Sequence, residues 1–382
     1  MKINDFLLKD NPFGVTPFLQ TQIWAGLENL KNQFSQRIEF SLKTSPSSII
    51  LNFGEYGSGK THAARYFSNT QILSAISKKL DSPPPLALHL NFPRVSNDSV
   101  KELAGAILSK IGLENLFSDL KEIKKLLEEK ESENYKKMLR ELVSDSEVER
   151  ILNGLVDIDD SNFDCYGRLL FGNASNADLK ALKLSKKITS GSDYCKLISG
   201  LINLLTLRTH GIKPRFSAVH IWLDEFEDIK TLNGKEQDAL TSFLRNLIDC
   251  CPSYLVLFIN FTLGTVNNLQ DLTIYLGEAL WSRVRYKIEF PETTLDDGVA
   301  YIRELLNQDS WRISDPQVLK NPFFPFTEES VKFLLENISP RTIRKINERF
   351  SLAIELALME KKLKEIDVSF LLTKSADLDL NQ

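Results

Sequence analysis

The chain has 382 residues, 42% hydrophobic and 26% charged, with 17 glycines and 14 prolines. At roughly 100–200 residues per domain this allows two or three domains with real cores, and it excludes disorder as the main state and any collagen-like or fibrous architecture. Forty-seven basic residues against 51 acidic give a formal net charge of −4, so no whole-molecule positive field gathers nucleic acid and a DNA contact needs a local basic patch.

The cysteines, Cys165, Cys195, Cys250 and Cys251, show neither CxxC nor Cys/His spacing, which argues against a structural zinc site. No apolar run reaches the ~18 residues of a membrane span, and Met1-Lys2-Ile3-Asn4-Asp5 does not open a signal peptide. The expectation is a reduced, soluble, cytoplasmic protein with no membrane partner, in which the Asn-x-Ser/Thr matches at Asn97 and Asn173 carry no meaning.

In chain order, Asn11-Pro12-Phe13-Gly14 reads as a turn, and Ile23, Leu27, Leu30 and Phe34 recur at helical spacing. Ile49–Phe53 is a short apolar run, read as a buried strand. A glycine-bearing loop follows, then a helix from Lys60 to about Thr70. Pro83-Pro84-Pro85 breaks the chain before an alternating strand at Leu86–Phe92 and a helix at Ser99–Ile111. From about 113 to 190 the chain turns rich in Lys, Glu, Ser and Asn. Leu116, Leu120, Ile123 and Leu127 share one helix face there, and so do Met138, Leu139 and Leu142. This stretch reads as a helical insertion or a separately folding domain. A helix at Asp193–Thr209, a strand at Ala218–Leu223, a helix at Lys235–Cys251, a strand at Tyr254–Ile259, a helix at Leu276–Arg283 and a strand at Tyr286–Phe290 complete an alternation that predicts a parallel α/β sheet. After Pro291 only helices are expected, at Leu295–Leu306, Thr327–Asn337, Pro340–Lys362 and Asp367–Thr373. The domains so read are an entry segment and helix (1–45), an α/β core with the insertion at about 113–190 (46–290), a small helical domain (291–373) and a polar tail (374–382).

The strongest motif is Gly54-Glu55-Tyr56-Gly57-Ser58-Gly59-Lys60-Thr61, followed by His62. It fits G-x-x-x-x-G-K-[ST] between a strand and a helix. Glycines let backbone N–H groups face phosphate oxygens, the helix N-terminus favours the anion, Lys60 reaches the β and γ phosphates, and Thr61 is placed to ligate Mg²⁺. A second motif, His220-Ile221-Trp222-Leu223-Asp224-Glu225, is an apolar strand ending in two carboxylates. After a phosphate loop, Asp224 reads as the metal-side acid and Glu225 as the group that orients an attacking water. Alone, such a pair would be a solvated turn, and Glu227 and Asp228, which extend the acidic run, are better read as a solvated helix start.

Together these residues resemble an AAA+ ATPase. The resemblance covers about residues 5–110 and 195–375 and implies a P-loop NTPase sheet flanked by helices, followed by a small all-helical lid. It further implies that Asn260, with Thr262 as alternative, is the sensor 1 residue touching water or γ-phosphate. Arg283, with Arg285 second, is the implied arginine finger reaching a neighbouring subunit's ATP; the plainer reading is a surface arginine paired with nearby acids. In Ser339-Pro340-Arg341-Thr342-Ile343-Arg344 the resemblance points to Arg341 as the sensor 2 contact. Phe6–Phe13 with Thr16-Pro17 resembles the entry segment of origin-recognition-type and of secretion- or transposition-type bacterial ATPases, and Leu197–Asp224 resembles ATPases of phage-defence loci. The expected cofactors are ATP and Mg²⁺, the expected assembly a homo-oligomer with ATP at its interfaces.

Two functions stay open. One is an oligomeric motor or switch hydrolysing ATP on DNA or a DNA-bound assembly, in bacterial defence or mobile-element biology. The other is a module whose ATP occupancy recruits an effector, nuclease- or transposase-like, with hydrolysis as a slow reset. Double-stranded DNA and a protein effector are not exclusive partners. The lid is followed by no winged-helix segment before Gln382, so direct sequence-specific DNA reading is not expected. A small-molecule kinase would use the same loop but leaves the Asp-Glu strand, Asn260 and the helical tail unexplained.

Overall fold

Runs of apolar and β-branched residues become five strands: β1 (Ser48–Gly54), β2 (Leu86–Asn91), β3 (Val219–Asp224), β4 (Leu255–Thr262) and β5 (Val284–Phe290). They form one parallel sheet in the order β2-β3-β4-β1-β5, with β2–β3 and β3–β4 in continuous register. β1 and β3 are buried at every position, as strands covered on both faces must be. β5, at the sheet edge, alternates exposed and covered residues. This computed structural model describes residues 1–14, 23–44, 46–130, 135–143, 145–159, 161–208, 213–265, 269–315 and 320–380; the Thr16-Pro17 step of the entry segment lies outside them. The four cysteines are unpaired, and among the described residues no helix is long and apolar enough to cross a membrane.

The chain divides into two compact units. The first comprises Met1–Phe34, Phe53–Tyr66 and Glu289–Gln382. Its core is built by helices Leu295–Leu306, Glu328–Glu336, Ile343–Met359 and Val368–Thr373, into which the N-terminal segment inserts Phe6, Leu8 and Phe13. The Phe13 ring lies 5.3 Å from Phe350 and 6.2 Å from Phe326. Full burial of such a ring contributes about 1.5–3 kcal/mol, which is why a segment with little regular structure stays docked. Tyr301 donates its hydroxyl to Asn347 at 2.8 Å, and Asn347 donates to the Gly14 carbonyl at 2.8 Å, so these two buried side chains are satisfied.

The second unit comprises Ser35–Asn52 and Phe67–Ile288. At its centre is the helix Gly191–Leu205, buried around most of its circumference, as an all-round apolar helix requires. It packs against helices Ser99–Ile111 and Gly234–Cys250 and against the helices of the 113–190 stretch. That stretch forms helices Leu113–Lys130, Tyr135–Leu142, Ser146–Leu155, Phe163–Leu170 and Asn176–Ala181. Ion pairs Lys196–Asp145 (2.8 Å) and Arg215–Asp119 (2.6 Å) link its helices to the chain that follows. On the sheet, the Trp222 and Phe258 rings of β3 and β4 stack at 3.8 Å and 5°.

Three of the boundaries that differ from the sequence reading have a clear local cause. Ile23 and Leu27 precede the first long helix, Glu28–Lys43, because Gly26 and Leu27 take positive φ of 58° and 50°. The helix read as Lys60–Thr70 stops at Phe67, and a new one, Thr70–Lys78, starts from an Asn69 cap that accepts from Gln71 N and Ile72 N. The lid helix read from Pro340 starts at Ile343, capped by the Thr342 hydroxyl.

Candidate functional site

In the first unit the phosphate loop runs from the end of β1 into the helix Lys60–Phe67. Ser58 N–H donates to the Glu55 carbonyl at 3.2 Å and closes the turn. A Cβ on Gly54 would lie 2.5 Å from the Phe290 carbonyl oxygen, and Gly57 takes φ +79° with the Arg344 Cβ only 2.7 Å from where its own Cβ would be. No other residue fits either place. Lys60 is 93% buried, its exposure being 7%, and Nζ donates to the carbonyls of Gly54 (2.9 Å) and Glu55 (2.8 Å) and to Ser58 Oγ (3.3 Å). A helix N-terminus with a lysine beside its loop N–H groups favours an anion, so the loop fits a phosphate group. Thr61 and His62 occupy the next turn. His62 Nε2 meets the Ile23 carbonyl at 2.9 Å, and the Trp24 ring lies 5.9 Å from His62 and 5.2 Å from Tyr66. Burial depresses the His62 pKa, keeping it neutral.

The lid reaches the loop through Arg344. Its N–H donates to the Gly57 carbonyl at 3.1 Å, and its guanidinium lies 4.2 Å over the exposed Tyr56 ring. Arg341, the residue singled out in the sequence, precedes the helix; its Nε donates to the Thr293 carbonyl at 3.0 Å and its N–H to Glu292 at 2.9 Å. The arginine at the loop is therefore three residues on. The signal that marks it is Thr342, whose cap fixes the helix start and with it the helix face.

In the second unit, Asp224 ends β3 and is 3% exposed. Asn260 Nδ2 donates to its Oδ1 at 3.0 Å, and His89 Nε2 lies 3.2 Å from its Oδ2. Glu225 takes a left-handed conformation, φ 57°, which costs a non-glycine residue of order 1–3 kcal/mol and clusters at functional sites. Its Oε2 accepts from Arg94 Nη2 at 2.6 Å, while Arg94 Nε pairs with Asp228. Burial raises the Glu225 pKa; Arg94 opposes this, and Asp224, Asp228 and Glu227 add to it. Glu227 accepts from Thr262 N–H at 3.2 Å. So Glu227 and Asp228, read in the sequence as a solvated helix start, are tied into the same cluster. Arg94 was missed because 131 residues separate it from Glu225.

Arg283 forms a two-pronged pair with Asp249, Nε–Oδ1 2.8 Å and Nη2–Oδ2 2.7 Å, on the surface of the second unit. Arg285 stacks its guanidinium 5.4 Å from the Tyr286 ring centroid. Among the described residues no three metal-ligating side chains cluster; a Mg²⁺ held by one hydroxyl and one carboxylate needs no such cluster, because Mg²⁺ keeps several waters and uses phosphate oxygens.

No protein-family model and no curated protein matches the chain. Among solved structures it is similar to the ORC2 protein of Aeropyrum pernix in its ADPNP and ADP complexes, with TM-score 0.52 and 10% identity over 98% of this chain and 72% of that one. It is also similar to the A. pernix ORC1 protein in complex with DNA, with TM-score 0.48 and 14% identity over 98% of this chain and 70% of that one. The fold, a parallel α/β sheet followed by a helical domain, is the one this chain shares with the ORC2 protein. At such identities the likeness is one of fold, and what the chain does must be argued from its side chains.

Proposed function

We propose that this chain binds ATP with Mg²⁺ and hydrolyses it, as an oligomeric AAA+ switch or motor acting on DNA or on a DNA-bound protein assembly. The observation that carries the reading is the occurrence, in one chain of this fold, of a phosphate loop with a buried Lys60 on its carbonyls and of a strand end whose Asp224 is bound by Asn260. Lys60 exchanges its loop carbonyls for phosphate oxygens. Thr61 and Asp224 are the Mg²⁺ ligands, the metal neutralising charge on the transferring phosphoryl group. Glu225 orients the water, and its raised pKa suits a group that takes up a proton as the water attacks. Asn260 holds the water or γ-phosphate, and Arg344, beside Arg341, is the lid contact. Arg283 exchanges Asp249 for a neighbouring subunit's nucleotide.

One observation favours the slow-reset form of this function. Glu225 is engaged by Arg94, so hydrolysis waits until Arg94 is drawn away. ATP occupancy would then drive assembly and recruitment of a nuclease- or transposase-like effector, with turnover as the reset. The DNA part of the reading rests on the resemblance of the Phe6–Phe13 segment to origin-recognition ATPases. The test is ATP turnover by the purified chain with and without double-stranded DNA, using Glu225→Gln as the blank. A several-fold stimulation that weakens with salt supports direct DNA engagement. Turnover above the blank without stimulation assigns the contact to a protein partner. Turnover no higher than the blank contradicts the ATPase.

A further inference from the structure

Four neighbouring strands each contribute one polar side chain to a single chain of contacts across the sheet: His89 of β2, Asp224 of β3, Asn260 of β4 and Asn52 of β1. The links are 3.2 Å from His89 Nε2 to Asp224 Oδ2, 3.0 Å from Asn260 Nδ2 to Asp224 Oδ1, and 2.8 Å from Asn52 Nδ2 to Asn260 Oδ1. Asn52 is 0% exposed and Asn260 1%. The direction of every bond is set at one end. An ionised carboxylate only accepts, so Asn260 presents its NH₂ to Asp224 and its carbonyl to β1. Asn52 must therefore donate, and its own Oδ1 is left without a partner.

That orphan is unfavourable in a strand whose neighbours Ile49, Ile50, Leu51 and Phe53 are all apolar and buried. An apolar side chain at 52 would remove it. What Asn52 does in return is fix the amide of Asn260, the group assigned to water or γ-phosphate. We infer that Asn52 is a positioning residue for hydrolysis: it holds Asn260 in the one orientation in which its NH₂ faces Asp224, without touching the nucleotide itself. The inference rests on the ATPase reading above.

The test is a double-mutant cycle on the full chain, with turnover at saturating Mg²⁺-ATP, nucleotide affinity and thermal unfolding read for Asn52→Leu, Asn260→Ala and the pair. The expected result is a roughly tenfold lower turnover for Asn52→Leu, nucleotide affinity within about twofold of the parent and an unfolding temperature close to the parent's, because the Asn52 orphan goes while Asn260 Oδ1 loses its donor. In the Asn260→Ala background, Asn52→Leu should cause no further loss. Unchanged turnover for Asn52→Leu, or losses that multiply in the double variant, would overturn the inference while leaving the ATPase intact. A parent chain that turns over no ATP would overturn the ATPase reading, and this inference with it. Should Asn52→Leu not fold, Asn52→Ala enters the same cycle under the same criteria.

Discussion

The phosphate loop and the acid end of the sheet are built by different means. The loop is a backbone structure: two glycines with no room for a Cβ, a turn closed by Ser58, and one lysine bonded mostly to main-chain carbonyls. The acid end is a side-chain structure, in which Asp224, Asn260 and Asn52 hold one another and Arg94 holds Glu225. A backbone device depends on local residue types, so it is written in eight consecutive letters. A side-chain device depends on partners brought together by folding, and its parts lie up to 208 residues apart.

The largest effect that follows separates the two halves. Glu225→Gln should lower turnover by about 10²–10⁴-fold while leaving nucleotide binding to the loop intact; a parallel loss of affinity would show that the halves are not independent.

The unit that carries the acid end should also be pH-sensitive, through the opposite end of β3. On β3, His220 is fully buried, and burial pulls its pKa down to about 3. The Ser41 hydroxyl donates to the Ile38 carbonyl at 2.7 Å, so it accepts from His220 Nε2–H at 2.8 Å, and Nδ1 has no partner. The folded pKa lies below the unfolded value near 6.5, so the unfolded chain binds the extra proton. Stability is retained above pH 6.5 and falls as pH drops toward the folded value, by roughly 2 kcal/mol at pH 5. Urea unfolding at pH 7 and 5 should show this slope in the parent and lose about that much of it in His220→Gln; equal slopes would remove His220 as the cause.

The loop has its own sharp test. Gly57→Ala sets a side chain at φ +79° against the Arg344 Cβ and should cost about 1–2 kcal/mol in stability or nucleotide affinity. Alanine without effect would mean that the loop relaxes freely.

The smallest effect expected is at Arg94, whose pair with Glu225 is largely solvent-exposed and therefore weak. Arg94→Ala should raise basal turnover about two- to fivefold. A decrease would make Arg94 part of the reaction rather than a restraint on Glu225.

The strands, the loop and the Asp-Glu pair were legible because apolar runs, glycine spacing and strand-end carboxylates are local signals. Ile23 and Leu27 fit a helical period yet lie outside the helix, since Gly26 permits a left-handed turn that periodicity does not register. Arg341 was singled out from the resemblance of Ser339–Arg344 alone; that the Arg344 N–H meets the loop shows only once the Thr342 cap sets the helix start. Asn52 was visible as a polar residue in an apolar strand, but its meaning appears only with Asn260 beside it. Arg94 and His89 have no sequence signal; only the fold brings them to the carboxylates.

The most direct test of the account measures binding and turnover on the same three proteins. Nucleotide affinity and steady-state Mg²⁺-ATP hydrolysis should be determined for the parent, Lys60→Ala and Glu225→Gln. The account predicts that Lys60→Ala loses both, and that Glu225→Gln binds ATP like the parent and hydrolyses almost none. A Lys60→Ala protein that still binds ATP at the parent's affinity, or a Glu225→Gln protein that turns over at the parent's rate, would contradict it.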